Sequence, residues 1–289
     1  MKLKIFIVCY NQPISSIPYI HNESIPEECS ILIFDNSDRE EILEYNELYS
    51  KEMGIVYFTE GKNIGLSKAY NRLLTKIEIS KNNWIITLDQ DTNFPREYFE
   101  NIIISIKNKN SCPIKSGIIY FGDNIGSPKN FKKEKFGIFE DIDIINSGLT
   151  IRSDVLKEVD GYDEDIFLDM VDYKLIYDLK IRGYNRIEIV PGIISQDFSG
   201  NDYTNIETVK NRYAIFKSDF NVVTVQTTSF LYSQSLLFQE FRTLQATRDV
   251  LACQQGATPP TIALSCILGY FWQGTLALGC QHVSSWLVY

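Results

Sequence analysis

The chain has 289 residues, 44% of them hydrophobic, which is enough to fill the core of one large or two modest domains and excludes a disordered protein. A formal net charge of -9 offers no broad cationic face and argues against a general nucleic-acid binder. Two histidines (His21 and His282) and six cysteines without a CxxC pair exclude histidine-rich metal centres and zinc-ligand spacing, and fit reduced thiols in a cytoplasmic protein.

Residues 1 to 8, MKLKIFIV, are apolar but too short for a signal peptide and lack its small-residue cleavage pattern, so they read as a first strand. Further β-rich runs stand at CSILIFDN, GIVYFTE and NWIITLDQD. Helices are predicted over residues 39 to 51, over 66 to 79, where Ala69, Leu73, Leu74 and Ile77 fall at helical spacing, and after Pro95, which suits a first helical turn. This alternation predicts βαβ units on a mostly parallel α/β sheet. Ligands of such sheets collect beyond the carboxyl ends of the strands, where Asn11, Asp35, Asn36, Asp89 and Asp91 stand here.

Residues 111 to 150 are richer in Gly, Lys and Asn until INSGLTI restores a strand-like pattern. Residues 153 to 184 read as a helix, an acidic loop and a second helix ending at Gly183, and IEIVPG reads as a short strand. Composition changes near residue 220: all 19 lysines precede it, and residues 221 to 289 keep only Arg242, Arg248, Glu240 and Asp249 as charges. A domain is therefore placed at 1 to 220 and a C-terminal helical tail at 221 to 289. The uncharged run over 261 to 279 is long enough to cross a bilayer, but its Ser, Thr, Gln and Gly content favours a buried or interfacial helix pair. An atypical translation product is the third reading of this tail.

Within WIITLDQDTNF a buried strand ends on Asp89 and Asp91, which one divalent cation, Mg²⁺ or Mn²⁺, can bridge; a solvated turn is the plain alternative. Asp35 after ILIF could accept from a pyrimidine N–H or serve as an Asx-turn residue. Asn63 and Gly65 form a turn into a helix whose N-terminus favours phosphate, while Lys68 and Arg72 read as its solvated face. Residues 160 to 172 hold six carboxylates, most of them in a soluble loop.

Taken in order, CYN (Cys9, Tyr10, Asn11), FDNSD, NIGLSKAYN (Asn63, Gly65, Ala69, Asn71), LDQDT, INSGLTI and GYDEDIFLDMVDYKL resemble the motifs of family 2 glycosyltransferases with the GT-A nucleotide-sugar-binding, Rossmann-like fold. Within that family the bacterial rhamnosyltransferase-like group is the nearest resemblance, over about residues 3 to 215. The resemblance implies nucleotide-sugar contacts from Tyr10, Asn11, Asp35, Asn36, Asn63, Gly65, Asn71, Asp89, Gln90, Ser147 and Gly148. It makes Asp172 the catalytic base and Asp169 the second choice, a neighbour that orients the acceptor or adjusts the base. Metal ligands would be Asp89, Asp91 and Asp197, the last sharing with Gln196 the place of a histidine usual in the family.

Two positions depart from the pattern: Lys174 and Asp178 stand where the family usually has Glu and Arg, so an i, i+4 ion pair with exchanged charges is expected. Arg212 follows the last motif and reads equally as a phosphate contact or a surface ion pair. The expected activity is inverting, metal-dependent transfer from a nucleotide-diphosphate sugar (dTDP-rhamnose or a UDP-hexose) to a lipid-linked or glycan acceptor in surface polysaccharide assembly. Peripheral membrane association and a homo-oligomer stay open. The rivals are a nucleotidyltransferase, for which CYNQPISSIP supplies no basic Gly-rich loop, and a non-catalytic sugar-nucleotide-binding module.

Overall fold

The computed structural model describes residues 2–20, 25–108, 112–196 and 206–226. Asp197, Tyr203, His21 and all of the tail beyond 226 therefore lie outside the described residues. The chain divides into two compact units, the first made of residues 1–201 and 215–228, the second of 202–214 and 229–289. Among the described residues no helix is long and apolar enough to cross a membrane.

The first unit is built on one ten-stranded sheet. Its parallel half is the βαβ array expected from the alternation: β1 (Lys2–Cys9), β2 (Cys29–Asp35), α1 (Glu40–Met53), β3 (Val56–Thr59), α2 (Leu66–Leu74) and β4 (Asn83–Asp89), with strands ordered β3-β2-β1-β4. Register fixes which residues share an edge: Cys9 pairs with Asp35, and Val8 pairs with Asp89. The loops after β1, β2 and β4 therefore open at one edge of the sheet. Buried Ile5, Ile7, Ile33, Ile86 and Leu88 form the core beneath that edge together with Tyr98 and Phe99 of α3 (Arg96–Lys107). At about 1.5 to 3 kcal/mol for each large apolar side chain, this layer holds the strand ends in place.

The other half of the sheet continues β4-β9-β6-β10. It contains the short β5 (Thr92–Asn93), β6 (Ile114–Phe121), β7 (Asn124–Ser127), β8 (Gly137–Glu140), β9 (Thr150–Arg152) and β10 (Arg186–Gln196). β9 runs antiparallel to both β4 and β6, whereas β6 and β10 are parallel. Helices α4 (Ser153–Glu158) and α5 (Val171–Ile181) flank the acidic loop, and α6 (Ile206–Gln226) closes the described chain, running through position 220.

Three elements differ in length from the sequence reading. α2 stops at Leu74, because Thr75 turns its hydroxyl back onto the carbonyl of Arg72 and the β-branched residues beyond it leave the helix. INSGLTI is strand only from Thr150, since Gly148 at φ 77° makes a turn whose N–H bonds to the carbonyl of Thr87. IEIVPG does not end at its Pro-Gly pair. The register with β6 shifts between Ile189 and Ile193, and β10 then resumes to Gln196. Pro191 cannot donate to the ladder, and Gly192 sits at φ 121° with the backbone of Tyr98 so near that an added Cβ would lie 2.8 Å from Tyr98 Cα.

That bulge carries β10 onward to the site, so filling it has a defined cost. Gly192→Ala is expected to lower the unfolding free energy by about 2 kcal/mol or more, through strained φ and a backbone clash, as read by urea denaturation. A change below about 0.5 kcal/mol would show that the bulge does not need glycine.

Candidate active site

The site lies where β1, β4 and β10 end. Asp89 is the last residue of β4 and Asp91 follows one residue beyond, ahead of the two-residue β5. β5 pairs with the end of β10, Thr92 opposite Gln196, and this pairing brings the carboxamide of Gln196 to both aspartates. Its Nε2 donates to Asp89 Oδ2 at 3.3 Å and to Asp91 Oδ1 at 3.3 Å, while its Oε1 is buried without a hydrogen-bond partner. Thr92 and Ser147 hydroxyls meet at 3.0 Å, which ties the turn before β9 to the same point.

Asp89 is the group whose chemistry is most altered by this convergence. Burial, then the charges of Asp91 and Asp172, push its carboxyl up from an ordinary 3.8 to about 7; hydrogen bonds from Ser147 and Gln196 act the other way. The influence of Asp172 places it within electrostatic reach of Asp89. Asp172 lies in the first turn of α5, where it accepts the N–H of Tyr173 at 2.8 Å, and it is partly exposed, as is Asp169 just before the helix. The predicted base is thus one of the charges that act on the first aspartate of the predicted metal pair.

The remaining expected residues divide by what their side chains touch. Gln90 Oε1 accepts the backbone N–H of Tyr10 at 2.8 Å, joining the β1 loop to the aspartate turn. Tyr10 keeps an exposed ring and places its hydroxyl 3.3 Å from Asp38; Asn11, at φ 48°, donates to Asp38 at 2.9 Å. Asp35 is fully buried and its oxygens accept from Ser37 N, Asn46 and Tyr57. Asn36 is likewise turned inward, donating to the carbonyl of Gly65 and accepting from Ile64 N, so it braces the turn into α2. Asn63 caps that turn through Gly65 N at 3.0 Å. Asn71 exchanges bonds with Tyr162 at 2.9 and 2.8 Å, joining α2 to the acidic loop. Gly148 gives its carbonyl to the Tyr98 hydroxyl.

The exchanged charges pair as expected: Lys174 Nζ lies 2.6 Å from Asp178 and 3.5 Å from Asp163. Arg72 bonds Glu60 at 2.8 Å on its solvated face. Two residues that sequence reasoning passed over belong to the site. Asp38 organises the β1 loop, and its signal was the second carboxylate of FDNSD. Tyr19, fully buried, donates to the carbonyl of Asp89 at 3.0 Å, and nothing in IPYI marks it.

Comparison with known proteins bears on this geometry. The sequence model described as Glycosyl transferase family 2 matches residues 4–157. No curated protein matches the chain. Among solved structures, GalNAc-T7 with UDP, GalNAc and Mn²⁺ is 15% identical at a TM-score of 0.56, over 78% of this chain and 48% of that one. TarS of S. aureus is 17% identical at 0.52, over 75% of this chain and 40% of its own. The mannosyltransferase PcManGT of Pyrobaculum calidifontis, in complex with GDP-Man and Mn²⁺, is 13% identical at 0.56, over 96% of this chain and 80% of its own. These likenesses show the GT-A fold. The chain spans less than half the length of the first two.

The raised carboxyl of Asp89 has a signed consequence for the metal-free protein. The folded state holds this proton more tightly than the unfolded state, so the contribution is present below about pH 4 and is lost as pH rises towards 7. Denaturation from pH 4 to 8 is expected to show the native protein losing stability relative to Asp89→Asn across that window, by at most about 4 kcal/mol. A flat difference would mean that Asp89 is not crowded as the structure has it.

Proposed function

The chain belongs to glycosyl transferase family 2, and from that premise we propose that it moves a sugar from a nucleotide-diphosphate donor to a hydroxyl of a glycan or lipid-linked acceptor, with inversion at the anomeric carbon. The observation that carries the reading is the convergence of Asp89, Asp91 and Gln196 at the strand ends, with Asp172 close enough to act electrostatically on Asp89.

The residues present fit a divalent cation. Two carboxylates meet at one point, and the buried Oε1 of Gln196 would be presented there if the amide turned about its terminal bond. Asp89, Asp91 and Gln196 would then hold it, while Asp197, the other candidate, lies outside the described residues. A Mn²⁺ or Mg²⁺ ion bound there would neutralise charge on the diphosphate leaving group. GalNAc-T7 and PcManGT are both solved with Mn²⁺, which supports a divalent ion here.

The chain's own groups supply the rest. Tyr10 offers an exposed ring beside the aspartate turn, suited to stacking on the nucleotide base, and Asp38 and Asn11 fix the loop that carries it. Asp172 takes the proton of the acceptor hydroxyl, and Asp169 stands three residues before it to orient that hydroxyl. TarS is solved with UDP-GlcNAc and PcManGT with GDP-Man, so UDP-hexose donors stand beside dTDP-rhamnose as candidates for this chain. The surface-polysaccharide setting rests on the sequence resemblance. Asp35, enclosed by Ser37, Asn46 and Tyr57, supports the base-binding loop from within.

A thermal-shift panel of UDP-, dTDP- and GDP-sugars with and without Mn²⁺ tests the donor class. A metal-dependent rise with one nucleotide that disappears in Asp91→Asn is expected, since a ligand of the native state alone raises stability by mass action. For that donor, Asp172→Asn is expected to keep binding and to lose transfer by a factor of about 10² to 10⁴. No shift with any nucleotide sugar would overturn the reading.

A further inference from the structure

The part of α6 that belongs to the first unit carries an anomaly. Phe216, Asp219, Phe220 and Val223 recur at i, i+3, i+4 and i+7, so they share one helix face, and all four are buried. Three of them are what a core stripe requires; Phe216 and Phe220 stack with ring centroids 6.1 Å apart. The fourth is a carboxylate with 1% of its surface exposed. A buried carboxylate costs several kcal/mol unless hydrogen bonds compensate it.

Its partners are three successive backbone amides. Asp219 Oδ1 accepts from Phe167 N at 2.8 Å, and Oδ2 accepts from Leu168 N at 2.8 Å and Asp169 N at 2.9 Å. Such a nest of amides around one anion replaces the lost water with charge-assisted bonds. The same segment is held from its other side, where the carbonyl of Phe167 accepts from Leu66 N, the first residue of α2, at 2.6 Å. The fit there is tight: a Cβ on Gly65 would lie 2.8 Å from the ring of Phe167 and 3.0 Å from its carbonyl oxygen. Gly65 is in turn fixed by Asn36 through its carbonyl at 3.1 Å. The strap 167–169 is thus clamped between the turn after β3 and α6, and only Met170 separates Asp169 from the helix whose first turn holds Asp172.

We propose that Asp219 is a positioning residue: its carboxylate fixes the backbone of 167–169 and thereby sets where Asp169 and Asp172 stand relative to the Asp89 and Asp91 edge. An apolar residue would serve the helix stripe as well, and the neighbours of Asp219 on that stripe are all apolar. What only the carboxylate supplies is acceptors for three amides at once. The catalytic consequence rests on the proposed role of Asp172, whereas the anchoring does not.

The test uses the full chain as wild type, Asp219→Asn and Asp219→Leu, the last suited to the apolar stripe. Amide hydrogen exchange of peptides covering 163–172 is expected to quicken by about tenfold or more in both variants, with peptides covering 84–91 unchanged. With the nucleotide sugar identified by the panel, kcat is expected to fall about 10- to 100-fold while the donor KM stays within about threefold, the split that misplacement of a base produces and simple instability does not. Unchanged protection of 163–172, exchange raised evenly along the chain, or lost protection with full kcat would each overturn the proposal. If wild type neither binds nor turns over any nucleotide sugar, the glycosyltransferase reading falls and the catalytic role of Asp219 with it, and the exchange of 163–172 alone decides the anchoring.

Discussion

Like charges gathered at one point repel, and the structure around Asp89 is arranged about that repulsion. Asp91 stands two residues away, and Asp172 reaches it from α5. Neighbouring negative charge raises the cost of ionising Asp89 unless something positive or protic stands beside it. Among the described residues the group between Asp89 and Asp91 is the amide of Gln196, at 3.3 Å from each aspartate. A neutral donor can be moved aside at modest cost, whereas an arginine or lysine in that place would compete with a cation as an equal. The nearest lysine on α5, Lys174, is instead engaged by Asp178 and Asp163. Exchanging the charges of that helix pair therefore leaves the positive group bound to acids outside the aspartate pair.

A site under such repulsion needs rigid support, and much of it comes from buried polar side chains bonded to backbone. Asn36 bonds both sides of the Gly65 turn, Asn71 forms a two-way bond with Tyr162, and Asp35 gathers Ser37, Asn46 and Tyr57. Asn36 and Asn71 each satisfy an amide and a carbonyl of the loops they brace, and Asp35 accepts the N–H of Ser37 besides two side-chain donors. Asp35 and Asn36 are accordingly buried, whereas the Tyr10 ring is exposed and Asp91 and Asp172 are partly exposed. One set builds the loops, and the other is left to meet a ligand.

The parallel half of the fold was legible because its code is local. Apolar β-branched runs and a proline at a first turn announce their elements without tertiary help. β6 was not legible. Lys115, Ser116 and Gly117 interrupt its pattern, and the burial of Lys115 makes sense only with Glu188 2.6 Å away on β10 and Trp84 under its ammonium. The second half of β10 was hidden for the opposite reason, since Pro-Gly is a strong local stop that a bulge against Tyr98 overrides. Asp89, Asp91 and Asp172 could be found by motif, but Tyr19 and Asp219 act through the backbone of distant loops, and no spacing rule links them to their targets.

These long-range ties also explain how separate segments define one centre. Asp89 and Asp91 belong to β4 and its turn, Asp172 to α5 and Gln196 to β10, and the last two elements, consecutive in the chain, follow β4 only after β5 to β9 and helices α3 and α4. Sheet register delivers the aspartate pair and Gln196, because β10 resumes beyond the shift between Ile189 and Ile193 and there pairs with β5. Asp172 stands on a helix and not on a sheet strand, and under the role proposed for Asp219 its approach is set by the strap at 167–169. A carboxylate there is drawn away from two others by repulsion and would relax outward if its loop were loose. Three backbone N–H bonds donated to one buried acid, with the α2 amide bonded to the carbonyl opposite, oppose that relaxation. On the proposed reading the placement of Asp169 and Asp172 is thereby set by a carboxylate bonded to the backbone of their loop, and the helix that carries it is anchored through its buried apolar face.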